Sequence, residues 1–360
     1  MKNKGLTILL IVAVLGSFLV GYAVRPMVTP AAGPGEGPGA VTNWTMQSGY
    51  AAGHPTFVRL QAWVEEVQRA TNGRLVITLH PVTALMPQAE QFTAVSGGTL
   101  QVSLGHGAWW IGTNRAFALS DAQASGLSSE EMQFWLINHG GLAKIQELYA
   151  AYNIHWLPGV DFPAEMFLWS KKPIRVPADL QGVKVRAAGL ALDVFRRLGQ
   201  EAFFMPGGEI VPSLMQGVID AAEFTQLYGD IALGFHEAAR YVNVGSRATA
   251  MTVGLEFNKT AWDKLPADMQ AIVTNVTLAH FMFNDGHHRL LEKQGLVLAR
   301  EKGVTIVEVS PELNNLFRST WDQLNDEEGA KDPRFGAIWN SLKEFRTSYR
   351  ELAATMWPWE

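Results

Sequence analysis

The sequence predicts an α/β fold organised in two domains, and three observations point to it. A chain of 360 residues, 48% hydrophobic and 18% charged, has ample material for a large core. Residues 43–81 read as strand, helix, strand. The stretch Gly182–Tyr241 repeats that rhythm as strand, helix, strand, helix, strand. Open α/β sheets bind small molecules just beyond the carboxyl ends of their strands, so the residues at those ends are the candidates for a site.

The chain starts with a short cationic segment, Met1 to Lys4, followed by an uncharged, mostly apolar run from Gly5 to Val24. Two readings of this run stand. Cleavage after Gly21-Tyr22-Ala23 would release a soluble periplasmic protein. Without cleavage, about 20 residues at ~1.5 Å each are long enough to cross a bilayer, and residues 5–24 would tether the chain to the inner membrane. Residues 26–42 are a Pro/Gly-rich linker that cannot build a core.

Asn43 to Tyr50 is a β-like opening. From Thr56 to Thr71, Phe57, Leu60, Val64 and Val67 fall at helical spacing, Asn72-Gly73 stops the helix, and Arg74 to Pro81 is a strand. A helix over Pro87–Val95 and a strand over Leu100–Gly105 follow, with His106, Trp109 and Trp110 directly after the strand as a candidate ligand wall. Ser128 to Tyr152 is helical, opened by the capping box Ser128 to Glu131 and interrupted at Gly140-Gly141. Ile154 to Leu157 begins another strand; His139 and His155 read as structural.

Phe162 to Trp169 is an apolar strand carrying one carboxylate, Glu165. A charge in such a run needs a partner or a cleft, unless it lies on an exposed alternate position. In the next unit Arg186 sits at the end of the run Lys184-Val185-Arg186, and its planar guanidinium matches a carboxylate with two hydrogen bonds. Glu209, after Gly207-Gly208, suits a helix N-terminus, Asp220 a turn, and Glu223-Phe224 the end of a short strand facing the same crevice as Arg186. Asp263 to Arg300 is helix-rich, Val304 to Val309 a strand, and further helices run to Met356. His280, His287 and His288 read as solvated helix positions, and Trp339, Phe345, Trp357 and Trp359 as packing anchors.

Several functions are excluded or unsupported. Beyond residue 25 the chain carries 26 basic against 34 acidic residues, which gives no electrostatic footing for nucleic acid. The absence of cysteine removes disulfides, thiolate metal sites and a cysteine nucleophile. No nucleophile elbow, zinc helix, phosphate loop or dinucleotide fingerprint is present, so no enzyme activity is indicated.

An ordered set of motifs gives the chain a relative. Asp179-Leu-Gln-Gly182-Val-Lys-Val-Arg186, Pro206-Gly-Gly-Glu-Ile210, Leu214-Met-Gln-Gly217-Val-Ile-Asp220-Ala-Ala-Glu223, Phe257-Asn-Lys259 and Leu265-Pro266 resemble the solute receptors of tripartite ATP-independent periplasmic (TRAP) transporters, of the DctP type. The resemblance implies two lobes joined by crossing segments, a long helix spanning both, a small-molecule carboxylate between them, and membrane permease subunits as partners. A membrane-tethered sensor domain binding a similar ligand is the alternative. Arg186 falls on the family arginine that clamps the carboxylate, and Glu223-Phe224 on an acid followed by an aromatic residue. In some relatives that step also binds a metal bridging to the ligand. Here the aromatic is Phe224 where many relatives have tryptophan, Glu165 stands where several have glutamine, and only Glu165 and Glu223 are carboxylate candidates for such a metal. With that resemblance in place, Arg186, Tyr50, Trp109, Phe224 and Tyr228 would suit a carboxylate on an organic body of moderate size, with Arg247 as a second positive charge favouring a diacid.

Overall fold

A computed structural model describes residues 40–121, 126–245 and 247–356. The apolar run 5–24, the Pro/Gly-rich residues up to 39, and Trp357 and Trp359 lie outside them. The described chain runs β1 (Thr42–Ser48), α1 (Pro55–Ala70), β2 (Leu75–His80), α2 (Gln91–Gly97), β3 (Val102–Gly105), α3 (Ser129–Asn138), α4 (Gly141–Ala150), β4 (Ile154–Phe162) and β5 (Leu168–Ser170). It continues through β6 (Lys184–Arg186), α5 (Gly189–Arg197), β7 (Glu201–Phe203), α6 (Gly207–Gln216), β8 (Ala221–Ala222), α7 (Leu227–Ala232), α8 (Phe235–Ala238) and β9 (Tyr241–Val244). The last part is β10 (Met251–Asn258), α9 (Lys259–Trp262), α10 (Ala267–Glu301), β11 (Thr305–Glu308), α11 (Pro311–Lys331) and α12 (Pro333–Met356).

Two mixed sheets form two lobes. The first has the order β2-β1-β3-β10-β4 and the second β11-β9-β5-β8-β6-β7. β1 runs parallel to β2 and β3, while β10 is antiparallel to β3 and β4. In the second sheet β6 runs parallel to β7 and β8, and β5 lies antiparallel to β8 and β9. The chain therefore crosses between lobes from β4 to β5 and returns from β9 to β10. Phe162 to Trp169 is not one strand as the apolar pattern suggested: β4 ends at Phe162, and Pro163, which has no N–H to give a ladder, marks the break. The two crossing segments pair with each other through Glu165 and Ala248, whose N–H···O distance is 3.0 Å.

Each lobe buries its own apolar set. Trp44, Phe57, Trp63, Leu104 and Phe257 fill the first, and Trp169, Ile210, Phe235 and Val242 the second. A third cluster, including Trp135, Phe167, Phe195, Phe317 and Trp339, lies beneath α11 and α12 and draws residues from both lobes. At roughly 1.5–3 kcal/mol for each large apolar side chain taken out of water, this layer contributes strongly to holding the lobes on one body.

The helix α10 has 35 residues, about 52 Å at 1.5 Å per residue, and serves both lobes. In its first half Thr277 Oγ1 accepts from Trp63 Nε1 at 3.0 Å, and at its midpoint Asn284 Oδ1 accepts from Arg59 Nε at 3.1 Å. Near its end Glu292 accepts from the backbone N–H groups of Leu227 and Tyr228 at 3.0 and 3.1 Å, capping α7. Gly295 permits that approach, since a Cβ there would lie 2.8 Å from the Tyr228 nitrogen. Of the three histidines read as solvated, His288 is in fact buried, its ring 4.3 Å from that of Phe162, because α10 turns that face onto β4.

Candidate functional site

The carboxyl ends of four strands converge on one cavity of about 700 Å³ between the lobes. β1 delivers Tyr50, β3 delivers His106 with Trp109 and Trp110 behind it, β6 ends on Arg186, and β8 leads into Glu223 and Phe224. The crossing segments supply Glu165 and Arg247. Register explains the convergence: Arg186 pairs with Ala222 across the β6–β8 ladder, so the residues that follow both strands emerge at the same edge.

The second lobe and the crossing segments contribute charge. Arg186 is only 4% exposed. Its Nη1 donates to the Glu223 backbone oxygen at 2.7 Å and to Glu223 Oε1 at 3.3 Å, while Nε and Nη2 donate to the Met205 oxygen at 3.2 and 3.1 Å. The guanidinium carbon also lies 5.6 and 5.3 Å from the ring centres of Phe204 and Phe224. Burial pulls the guanidinium pKa below its ordinary value, with Glu223 opposing. Gly207 lets α6 close over this group, because a Cβ there would meet the Phe224 ring at 2.4 Å.

Glu223 is held from three directions. Oε1 accepts from Ala188 N–H at 2.6 Å as well as from Arg186, and Oε2 lies 3.4 Å from Arg247 Nη2. The same Arg247 nitrogen donates to Glu165 Oε2, and Arg247 Nε donates to the Met166 oxygen at 3.2 Å. Arg247 is thus not an exposed strand-end residue: at 3% exposed it joins two acids. Burial pushes the Glu165 carboxyl up; Arg247 opposes and Glu223 adds to the rise. At Arg247 burial pulls down, but Glu223 and Glu165 outweigh it and the guanidinium ends above its ordinary value.

The first lobe contributes rings and a chain of hydrogen bonds. The Tyr50 hydroxyl lies 2.6 Å from His106 Nε2, and His106 Nδ1 is 3.2 Å from both Asp121 carboxylate oxygens. A carboxylate only accepts, so Nδ1 donates to Asp121, while Nε2 and the Tyr50 hydroxyl share the other hydrogen bond. Asp121 Oδ2 also accepts from Ala108 N–H at 3.0 Å. Burial, then Asp121 and Glu165, hold the Tyr50 phenol well above its usual range. Beside this chain Trp110 Nε1 and Ser103 Oγ donate to Glu256, whose carboxyl burial pushes up to about 7.

Of the residues singled out from sequence, Arg186, Glu223, Phe224, Glu165, Tyr50, Trp109 and Arg247 line this cavity. Tyr228 does not: the turn after Phe224 carries it onto α10, where its N–H meets Glu292. Asp121, Phe204 and Leu190 also line the cavity and were missed. Only Phe204, as part of the apolar run closing β7, had a legible signal.

Comparison with known proteins adds to this geometry. The profile of the bacterial extracellular solute-binding protein family 7 matches residues 46–332. A monocarboxylate 2-oxoacid-binding periplasmic protein of Nostoc sp. is 31% identical over 304 residues, covering 84% of each chain. The crystal structure of a TRAP transporter solute-binding protein from Bordetella bronchiseptica, with copurified calcium and picolinate in its bound site, superposes with a TM-score of 0.82 at 26% identity over 88% of this chain and 95% of that one. A TRAP periplasmic solute-binding protein from Pseudoalteromonas atlantica with sodium and pyruvate has the same fold, with a TM-score of 0.83 at 24% identity over 88% and 97% of the two chains.

A metal thus accompanies the ligand in both of those structures, and the donor set here does not fit one. Calcium takes about six to eight oxygen ligands. Among the described residues no group of three or more His, Asp and Glu side chains is arranged to hold a metal ion, and both carboxylates nearest the centre, Glu165 and Glu223, already face Arg247. The profile spanning most of the chain, the two-lobed architecture and the cavity between the lobes lead to one conclusion: this chain belongs to the bacterial extracellular solute-binding protein family 7, the DctP-type receptors of TRAP transporters.

Proposed function

We propose that this receptor captures a monocarboxylic 2-oxoacid between its lobes, with Arg186 as the carboxylate clamp, and passes it unchanged to TRAP membrane permease subunits. The observation that carries the reading is Arg186: a permanent cation, buried at the end of β6, held rigid by Met205 and Glu223 and lining the cavity. Pre-ordering of this kind lowers the entropic cost of binding. Picolinate and a 2-oxoacid share one chemistry, a carboxylate with a hydrogen-bond acceptor on the adjacent carbon. The bound class named for the Nostoc relative supports the same choice. Neutralisation of Arg247 by two acids favours one carboxylate over two.

Trp109, Leu190, Leu192, Phe204 and Phe224 surround the remaining volume and suit an apolar side chain on the acid. Only the closed arrangement brings both lobes onto one ligand, so binding favours closure. In this reading residues 5–24 direct export and act either as a cleaved signal or as a tether, with residues 26–42 as the spacer. Among the described residues no helix is long and apolar enough to cross a membrane.

Thermal-shift screening of pyruvate, 2-oxobutyrate, 4-methyl-2-oxopentanoate, lactate and 2-oxoglutarate, followed by calorimetry, tests the proposal. The monocarboxylic 2-oxoacids should stabilise the protein and be recovered chemically intact, with 2-oxoglutarate much weaker. A preference for the diacid, or undiminished affinity in Arg186→Ala, would remove the proposed role.

A further inference from the structure

We infer that Arg247 is a resident cation that takes the place of a bound metal in this chain, making ligand capture independent of metal ions. The inference rests on the cavity being a carboxylate site and adds how its charge is balanced.

Three segments far apart in sequence bring the group together. Arg247 comes from the returning crossing segment, Glu165 from the outgoing one, and Glu223 from the end of β8. The guanidinium lies between the two carboxylates, bonded to Glu165 Oε2 and 3.4 Å from Glu223 Oε2, and its Nε is anchored on the Met166 oxygen at 3.2 Å. All three side chains are at most 4% exposed and line the cavity. Arg247 therefore bridges acids from two parts of the fold and faces the ligand space, the task a bridging cation performs.

Charge and the engaged carboxylate oxygens both disfavour a second cation there. Two arginines against two glutamates leave the cluster neutral when all are ionised, and a dication would add charge beside a guanidinium in a site of low dielectric, where repulsion is strong. Two of the four carboxylate oxygens are also committed to hydrogen bonds. Glu223 Oε1 receives Ala188 N–H and Arg186 Nη1, while Glu165 Oε2 receives Arg247. A guanidinium differs from a metal in being covalently retained and charged at any physiological pH. Chelators cannot extract it, and it needs no supply from the surroundings.

The test uses the folded, exported protein without any organic acid first. Calcium by calorimetry and terbium by luminescence sensitised through Trp109 and Trp110 should show no site in the wild type. Arg247→Ala should gain one, and Arg247→Ala combined with Glu165→Gln should lose it again. Pyruvate affinity of the wild type should change by less than about twofold between excess EDTA and millimolar calcium. Stoichiometric calcium binding by the wild type that Glu165→Gln abolishes would overturn the inference. So would a folded Arg247→Ala that takes up no cation, or wild-type pyruvate affinity that falls about tenfold in EDTA and returns with calcium. If Arg247→Ala fails to fold, Arg247→Gln takes its place. Failure of every organic acid to bind would sink the proposed ligand class alone, since the cation titrations are read without one.

Discussion

The two walls of the cavity are built on opposite principles. The wall from the second lobe and the crossing segments is charged: Arg186, Arg247, Glu165 and Glu223, each within 4 Å of an opposite charge and each nearly fully buried. The wall from the first lobe is made of rings, with His106 held between Tyr50 and Asp121, and behind it Glu256 is held between Ser103 and Trp110. The difference suggests a division of labour. In the proposed reading the four charged groups fix one end of the ligand, whereas Trp109 from the first lobe and Leu190, Leu192, Phe204 and Phe224 from the second cover its body and tolerate variation.

Substitutions on each wall sharpen or break that comparison. The largest effect is expected from Glu165→Ala, which leaves Arg247 with only its longer contact to Glu223. Removing one partner of a buried pair costs about 3–5 kcal/mol, so denaturant unfolding should reveal a loss of roughly 3 kcal/mol. Arg186→Ala should weaken carboxylate binding about a hundredfold or more by calorimetry; a small loss would make the charged wall merely structural.

Behind the other wall, Glu256→Gln isolates a carboxyl whose folded pKa, about 7, stands above its ordinary value of 4.5. The folded state holds this proton more tightly than the unfolded chain. Its contribution is therefore largest in acid and is lost as pH rises from about 4.5 to about 7. Relative to wild type the variant should gain stability across that window, by about 1.4 kcal/mol per pH unit at most, and no further above it. Parallel pH profiles of unfolding would refute a neutral, buried Glu256. The smallest effect is expected from Trp109→Ala, about a tenfold loss of affinity for 4-methyl-2-oxopentanoate and less for pyruvate.

Much of this molecule was legible in the chain because local patterns determine it. Helical spacing of Phe57, Leu60 and Val67 and the β-rich run after Gly73 gave the first β-α-β unit, and strand ends gave Arg186 and Glu223. Glu165 stood out because a carboxylate in an apolar run needs a partner. The identity of that partner was not legible, since Arg247 lies 82 residues away and meets it only once both crossing segments are in place. Tyr228 misled for the complementary reason. It stands four residues after Phe224, but Glu292, on a helix more than sixty residues on, caps its turn and draws it aside. His288 was read as solvated because its neighbours along α10 are polar, while its own face packs on Phe162.

The pairing of Glu165 with Ala248 has a mechanical consequence. A receptor whose lobes were joined by two independent threads could twist and shear as well as close. Here the threads are stitched by a backbone hydrogen bond of 3.0 Å and, one residue along, by the ion pair of Glu165 with Arg247. The two threads therefore act as one strap, beside the third crossing that α10 makes between the lobes. Because the stitching residues also form the floor of the cavity, whatever rests on that floor presses on the axle about which the lobes would turn.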